Sequence, residues 1–163
     1  MRLHVLLIVL AFQLGRLYAD DIENVWFTPL KEIRSNDLFF LAQLRGRLII
    51  LVFSASWNEP SKPLLLDLDR ISKLCKRKKQ RIAIISVVME KDSRQMLLWV
   101  EQNRIEYPSY LIKEKDFEAL GQKAVPAVFL FNKDGELIWR TAGYRNSFFR
   151  DITNEIEQEF GQN

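Results

Sequence analysis

Residues 45–61, which read RGRLIILVFSASWNEPS, contain the features that decide the fold of this 163-residue chain. Residues 48–53 form an unbroken apolar run of strand length, which is typical of a central strand covered on both faces. Pro60 and Pro63 lie where a helix would begin, a position that tolerates the missing N–H of proline. Apolar side chains then recur at helical spacing, at Leu64, Leu68, Ile71 and Cys75. This stretch predicts a buried strand followed directly by a helix with one core-facing side.

The rest of the chain alternates strands and helices. In chain order, we predict a strand at 82–88, a helix capped by Asp92 or Ser93, a strand at 109–112, a short helix at 116–120, strands at 127–131 and 136–141, and a final helix that begins at Ser147. The turn between the last two strands, residues 132–135, reads NKDG and is a strong hairpin signal. This order predicts an α/β fold with a central mixed sheet flanked by helices.

The first nineteen residues are typical of a secretory signal peptide. A short positive start precedes a mostly apolar stretch at residues 3–14, which is shorter than the roughly 20 residues that span a bilayer. We expect cleavage after Ala19, and the alternative is an uncleaved membrane anchor. The chain then divides into residues 1–19 as signal peptide or anchor, residues 20–44 as an N-terminal extension, and residues 45–163 as the folded domain.

The N-terminal extension has a mixed pattern. Residues 25–28, VWFT, predict a short strand. Asn36 or Asp37 is placed to cap a short helix that runs to Leu44. Residues 45–47, RGR, then interrupt the pattern before the buried strand.

The residue inventory excludes several kinds of chemistry. The single histidine is His4, inside the expected signal peptide, so a mature chain has none for a Ser–His or Cys–His pair or for a metal site. The single cysteine is Cys75, which cannot form a disulfide within the chain and which the helical stripe places on the buried side of its helix. We therefore expect no metal, no cofactor and a structural role for Cys75.

The charge pattern gives little support to a nucleic-acid partner. The net charge is +3, and part of it lies in one basic run, residues 76–81, which read KRKKQR. Positive side chains in the last turn of a helix complement the helix dipole. We interpret the run as a solvated helix end rather than a site for nucleic acid or anionic lipid.

Four segments in this order resemble the TlpA/ResA-type (AhpC/TSA-like) branch of the thioredoxin-like superfamily. Residues 45–57 are similar to the family's strand and loop up to the active-site tryptophan, and residues 124–131, AVPAVFLF, to the strand that follows its cis-proline. Residues 132–138 resemble the subsequent hairpin, and residues 90–123 occupy the place of the family's helix–strand insert. The resemblance implies a thioredoxin fold over most of the mature chain.

The resemblance fails at the two redox cysteines. In the family the tryptophan is followed by Cys-x-x-Cys, whereas here Trp57 is followed by Asn58, Glu59, Pro60 and Ser61. Asn58 and Ser61 therefore stand at the two cysteine positions, and Val52 replaces the acid that many thioredoxins bury five residues before the tryptophan. An amide and a hydroxyl cannot perform thiol–disulfide exchange. We expect no catalytic residue and no enzyme activity at this degenerate motif.

What the resemblance leaves is a surface for binding polypeptide by strand addition. The implied groove lies between the tryptophan loop and the loop before the cis-proline, with Trp57, Asn58, Glu59, Pro60, Ser61, Val125 and Pro126 as its candidate residues. We expect the Val125–Pro126 peptide bond to be cis. The alternative is that Pro126 only preserves the fold.

Together these inferences favour a redox-inactive binding or scaffold protein of the cell envelope, periplasmic or secreted, with protein partners such as an envelope complex. Membrane contact is expected only if residues 1–19 remain as an anchor. The alternative function is an atypical thiol-dependent oxidoreductase or peroxidase that uses Cys75.

Overall fold

A computed structural model describes residues 22–161, except for residues 90–92 and 103. The expected signal peptide and the predicted helix cap at Asp92 lie outside the described residues. Within the described part of the chain, no helix is both long and apolar enough to cross a membrane.

The described residues form one mixed sheet, as the sequence predicts, and this sheet has seven strands. Its strands are β1 (Leu30–Glu32), β2 (Leu38–Phe39), β3 (Leu48–Ser54), β4 (Ile82–Val88), β5 (Ser109–Leu111), β6 (Ala127–Phe131) and β7 (Leu137–Ala142). The spatial order is β2-β1-β5-β4-β3-β6-β7. Strands β3, β4 and β5 are parallel, whereas β6 runs antiparallel to β3 and pairs with β7 as the predicted hairpin.

The side chains of β3 alternate between two cores, which explains its unbroken apolar sequence. Leu48, Ile50 and Val52 pack on one face of the sheet, and Ile49, Leu51 and Phe53 pack on the other. Each of them is at most 1% exposed. A strand covered on both faces has no side available for polar residues.

The structure describes four α-helices around the sheet: α1 (Ser61–Arg77), α2 (Ser93–Gln102), α3 (Glu114–Ala119) and α4 (Phe148–Gly161). Apolar side chains of α1, α2 and α4 share the core that contains Leu48. The opposite core is closed by α3 together with the N-terminal residues from Ile22 onward. The predicted start of the last helix is confirmed, because the Asp151 N–H donates to the Ser147 carbonyl oxygen at 2.9 Å.

Both predictions for residues 20–44 are wrong in detail. Residues 25–28 were expected as a strand, but the chain forms a 3₁₀ helix over Asn24–Phe27. Its Trp26 packs edge-on against Phe131, with ring centroids 5.3 Å apart. The helix expected after Asn36 is replaced by β2 and a 3₁₀ helix over Leu41–Leu44. Pairing with β5 through β1 overrides the weak local preference for helix.

Candidate functional site

The tryptophan loop, residues 55–61, is closed by hydrogen bonds among its own residues. The Asn58 N–H donates to the Ala55 carbonyl oxygen at 3.2 Å, and the Ser61 N–H donates to the Asn58 carbonyl oxygen at 2.9 Å. The Ser61 hydroxyl donates to the Asn58 side-chain oxygen at 3.0 Å. Ser61 is only 2% exposed. The two residues at the expected cysteine positions therefore bond to each other and stabilise the start of α1.

Trp57 in the same loop faces solvent. It is 60% exposed, one of the most exposed large apolar side chains among the described residues. Glu59 and Pro60 beside it are also exposed. Exposed large apolar groups of this kind often mark contact surfaces.

The Val125–Pro126 peptide bond is cis, as the sequence predicts. It directly precedes β6, whose first residue, Ala127, pairs with Phe53 near the end of β3. The tryptophan loop follows that same end of β3, so both loops lie at the same end of these two strands. The Pro126 carbonyl oxygen accepts from the Gly143 N–H at 2.8 Å. Among the residues that the structure describes, the backbone of Val125 has no hydrogen-bond partner.

Cys75 lies inside α1 on its buried side, as the helical stripe predicts. It is 2% exposed and packs in the core shared by α1 and α4. Burial, with a smaller contribution from the negative charge of Glu157, raises the pKa of the thiol to about 11. A thiol that is both buried and protonated is poorly suited to nucleophilic chemistry. Across the described ranges, no group of three histidine, cysteine, aspartate or glutamate side chains could hold a metal ion.

A groove that sequence reasoning missed lies beside Trp57. It has a volume of about 690 Å³ and is lined by residues of β1, β2, β5 and α3, together with Pro29, Trp57 and Met89. The one available signal was Leu38, an apolar residue directly after Asn36 and Asp37. That signal was too short to interpret, because β2 contains only two residues.

Three features define a protein of the thioredoxin fold. They are a mixed sheet, a helix that begins just after an exposed tryptophan, and a cis-proline at the same end of the strands. The profile of the family described as thioredoxin-like matches residues 46–137, and the chain belongs to that family. No curated protein sequence matches the chain.

Solved structures with the same fold include thiol–disulfide proteins of several bacteria. One is a putative thiol:disulfide interchange protein DsbE from Chlorobium tepidum, with 17% identity, a TM-score of 0.71, and coverage of 80% of this chain and 91% of that one. A secreted disulfide oxidoreductase of Mycobacterium tuberculosis has 14% identity, a TM-score of 0.68, and coverage of 83% and 98%. The exposed lipoprotein thioredoxin Etrx1 of Streptococcus pneumoniae has 19% identity, a TM-score of 0.64, and coverage of 80% and 97%. At these identities the likeness establishes the fold alone.

Proposed function

We propose that this chain is a redox-inactive thioredoxin-like protein of the cell envelope that binds extended segments of protein partners. The observation that carries the proposal is the state of the tryptophan loop. The two positions that hold redox cysteines in similar proteins hold Asn58 and Ser61, which are bonded to each other at 3.0 Å. Trp57 beside them remains 60% exposed.

The state of the remaining thiol supports the absence of redox chemistry. Cys75 is 2% exposed, and burial raises its pKa to about 11. An atypical oxidoreductase or peroxidase would need a thiolate that a substrate can reach. Cys75 lines a recess of about 270 Å³ and the positive charge of Lys78 acts to lower its pKa, but burial outweighs that charge and keeps the thiol protonated.

The loop that precedes β6 supports polypeptide binding. Within the described part of the chain, the Val125 N–H and C=O have no partner, and the cis peptide bond to Pro126 follows directly. Unpaired backbone groups beside a sheet can accept an extended segment by strand addition. Trp57 would then supply the apolar anchor of the polypeptide site, on the side opposite Val125.

An envelope location is supported by the N-terminal sequence and by two structural neighbours. Residues 1–19 have the pattern of a signal peptide. Two proteins with the same fold are described as secreted and as an exposed lipoprotein. We propose a periplasmic or secreted protein, held at a membrane only if residues 1–19 are retained.

The proposal is tested by crosslinked capture of partners from the organism's own envelope, with the full chain as bait. We expect Trp57→Ala to weaken capture about thirtyfold, because a tryptophan anchor contributes roughly 2 kcal/mol or more. Lys78→Glu, at the basic end of α1, serves as the control and should change capture little, because Lys78 is exposed and already paired with Glu157, and such surface charges contribute little. If Lys78→Glu abolishes capture while Trp57→Ala leaves it intact, the partner binds the basic helix end and the proposal is wrong.

A further inference from the structure

The groove beside Trp57 lies on the opposite side of that residue from Pro126. In the sheet, β6 neighbours β3 on one side, whereas β4, β5, β1 and β2 follow on the other. The groove is lined from this second side, by Leu38, Met89, Leu111 and Ile112, and by Trp57 itself. It is therefore distinct from the proposed polypeptide site, although Trp57 belongs to both.

The strand register places the apolar side chains of this groove wall, Leu38 and Leu111, in one row with Lys31 between them. Leu38 of β2 pairs with Lys31 of β1, and Lys31 pairs in turn with Leu111 of β5. Directly paired residues point to the same face of a sheet, so the three side chains form one row. Leu38 is 66% exposed and Trp57 is 60% exposed, although both line the same recess. Two large apolar groups left in water around a groove indicate a surface that is covered on binding.

The charges around the groove indicate which kind of molecule it would bind. Lys31 lies on the strand side, in β1, and Lys113 directly precedes α3, where the strand side meets the helix side. Glu114 and Asp116, in the first turn of α3, lie on the helix side. An amphiphile with a single charged head would meet charges of both signs. A polypeptide segment that carries an acidic and a basic side chain around an apolar one would satisfy both.

We infer that the groove receives a bulky apolar side chain of an extended partner segment, with an acidic and a basic residue on either side of it. The acidic residue faces Lys31 and Lys113, and the basic residue faces Glu114 and Asp116. This inference rests on the proposed function, because Trp57 belongs to both candidate sites. It specifies which side chains the partner's segment must carry.

The test uses the full chain and four capped, fluorescently labelled peptides with one central leucine. The leucine is flanked by glutamate then lysine, lysine then glutamate, two glutamates, or two lysines, and binding is measured by fluorescence anisotropy. One of the two mixed peptides should bind tightest, by about fivefold over either like-charged peptide. Equal binding of all four peptides, or no binding, would overturn the inference, as would binding of decanoate without any peptide.

Charge reversal supplies a readout that a loss of folding cannot imitate. In Lys31→Glu/Lys113→Glu, all four charged rim residues that the structure describes are acidic, so the peptide with two lysines should become the tightest ligand. Leu38→Lys should weaken the best mixed peptide about tenfold, because it places a charge on the apolar wall. An unchanged order of preference in the double variant would contradict the proposed occupant.

The matched control for Leu38→Lys is Leu98→Lys, on α2. Leu98 is 56% exposed and does not line the groove, so its variant should bind the peptides as the unaltered chain does. Equal losses in the two variants would also overturn the inference. If Trp57→Ala lowers capture of envelope partners while Leu38→Lys has no effect on peptides, the groove inference fails and the proposed function stands. If Trp57→Ala leaves capture intact, the proposed function itself fails.

Discussion

Chemical labelling of Cys75 offers a direct measure of whether this thiol is available for chemistry. Burial raises its pKa from 9.0 to about 11, so at neutral pH the folded chain holds about a hundredfold less thiolate than the unfolded chain. The 2% exposure of the residue lowers access further. With a chromogenic disulfide reagent such as DTNB, we expect labelling of the native chain to be at least about a hundredfold slower than labelling in denaturant. The native rate should keep rising with pH until about pH 11.

The same shift in pKa has a consequence for stability. Above pH 9 the unfolded chain releases the Cys75 proton before the folded chain does, so the contribution of this group to stability is lost as the pH rises towards about 11. Over that window the free energy of unfolding should fall by about 2 kcal/mol more for the unaltered chain than for Cys75→Ala. At neutral pH, Cys75→Ala should cost about 1 kcal/mol, because a small buried group is removed. Denaturant titrations of both proteins at several pH values measure both quantities.

One outcome would refute this reasoning about Cys75. If the native chain reacts as quickly as the unfolded chain, the thiol is neither buried nor held protonated. Turnover in a dithiol-driven reduction assay that Cys75→Ser abolishes would go further. It would favour the alternative function, in which Cys75 is the reactive group of an oxidoreductase or peroxidase.

Two further predictions concern the tryptophan loop and the hairpin. The unaltered chain should show no dithiol-driven reduction of insulin. The double variant Asn58→Cys/Ser61→Cys should gain this activity, because a thiol at the start of a helix has a lowered pKa. Turnover by the unaltered chain, or no turnover by the double variant, would contradict this prediction. Gly135 and Gly46 have φ of +89° and +83°, so replacing either with alanine should cost about 1 kcal/mol. In thermal or denaturant unfolding, Gly135→Ala should lose more stability than Gly46→Ala. The new Cβ at position 135 would lie 3.2 Å from Trp26, whereas a Cβ at position 46 would have no atom within 4 Å. Equal losses of stability in the two variants would contradict this contact.

The centre of the fold could be predicted because its signals are local and long. The apolar run of β3, the prolines at the start of α1 and the NKDG turn each specify one element without help from distant residues. The cis bond before Pro126 came from a motif that is contiguous in sequence. The loss of both redox cysteines is likewise a fact of the sequence, and no folding could restore them.

The edge of the sheet could not be predicted from its own residues. β1 has three residues and β2 has two, too few to show a periodicity of either kind. β1 forms because β5, about eighty residues further along the chain, provides its hydrogen-bonding partner, and β2 pairs in turn with β1. Trp26 was expected in a strand for a similar reason, since the contact that fixes its position is with Phe131, from β6.

The candidate site divides in the same way. The sequence by itself determined which groups are present: Trp57, an amide and a hydroxyl in place of two thiols, and a single cysteine on an apolar helical stripe. Only the tertiary structure decided that Trp57 stays exposed, that Asn58 and Ser61 bond to each other, and that a charged-rimmed groove opens beside them. The physical reason is that exposure and concavity are properties of a folded surface. This surface is assembled from two segments, β1 with β2 and β5 with α3, which lie about eighty residues apart in the chain.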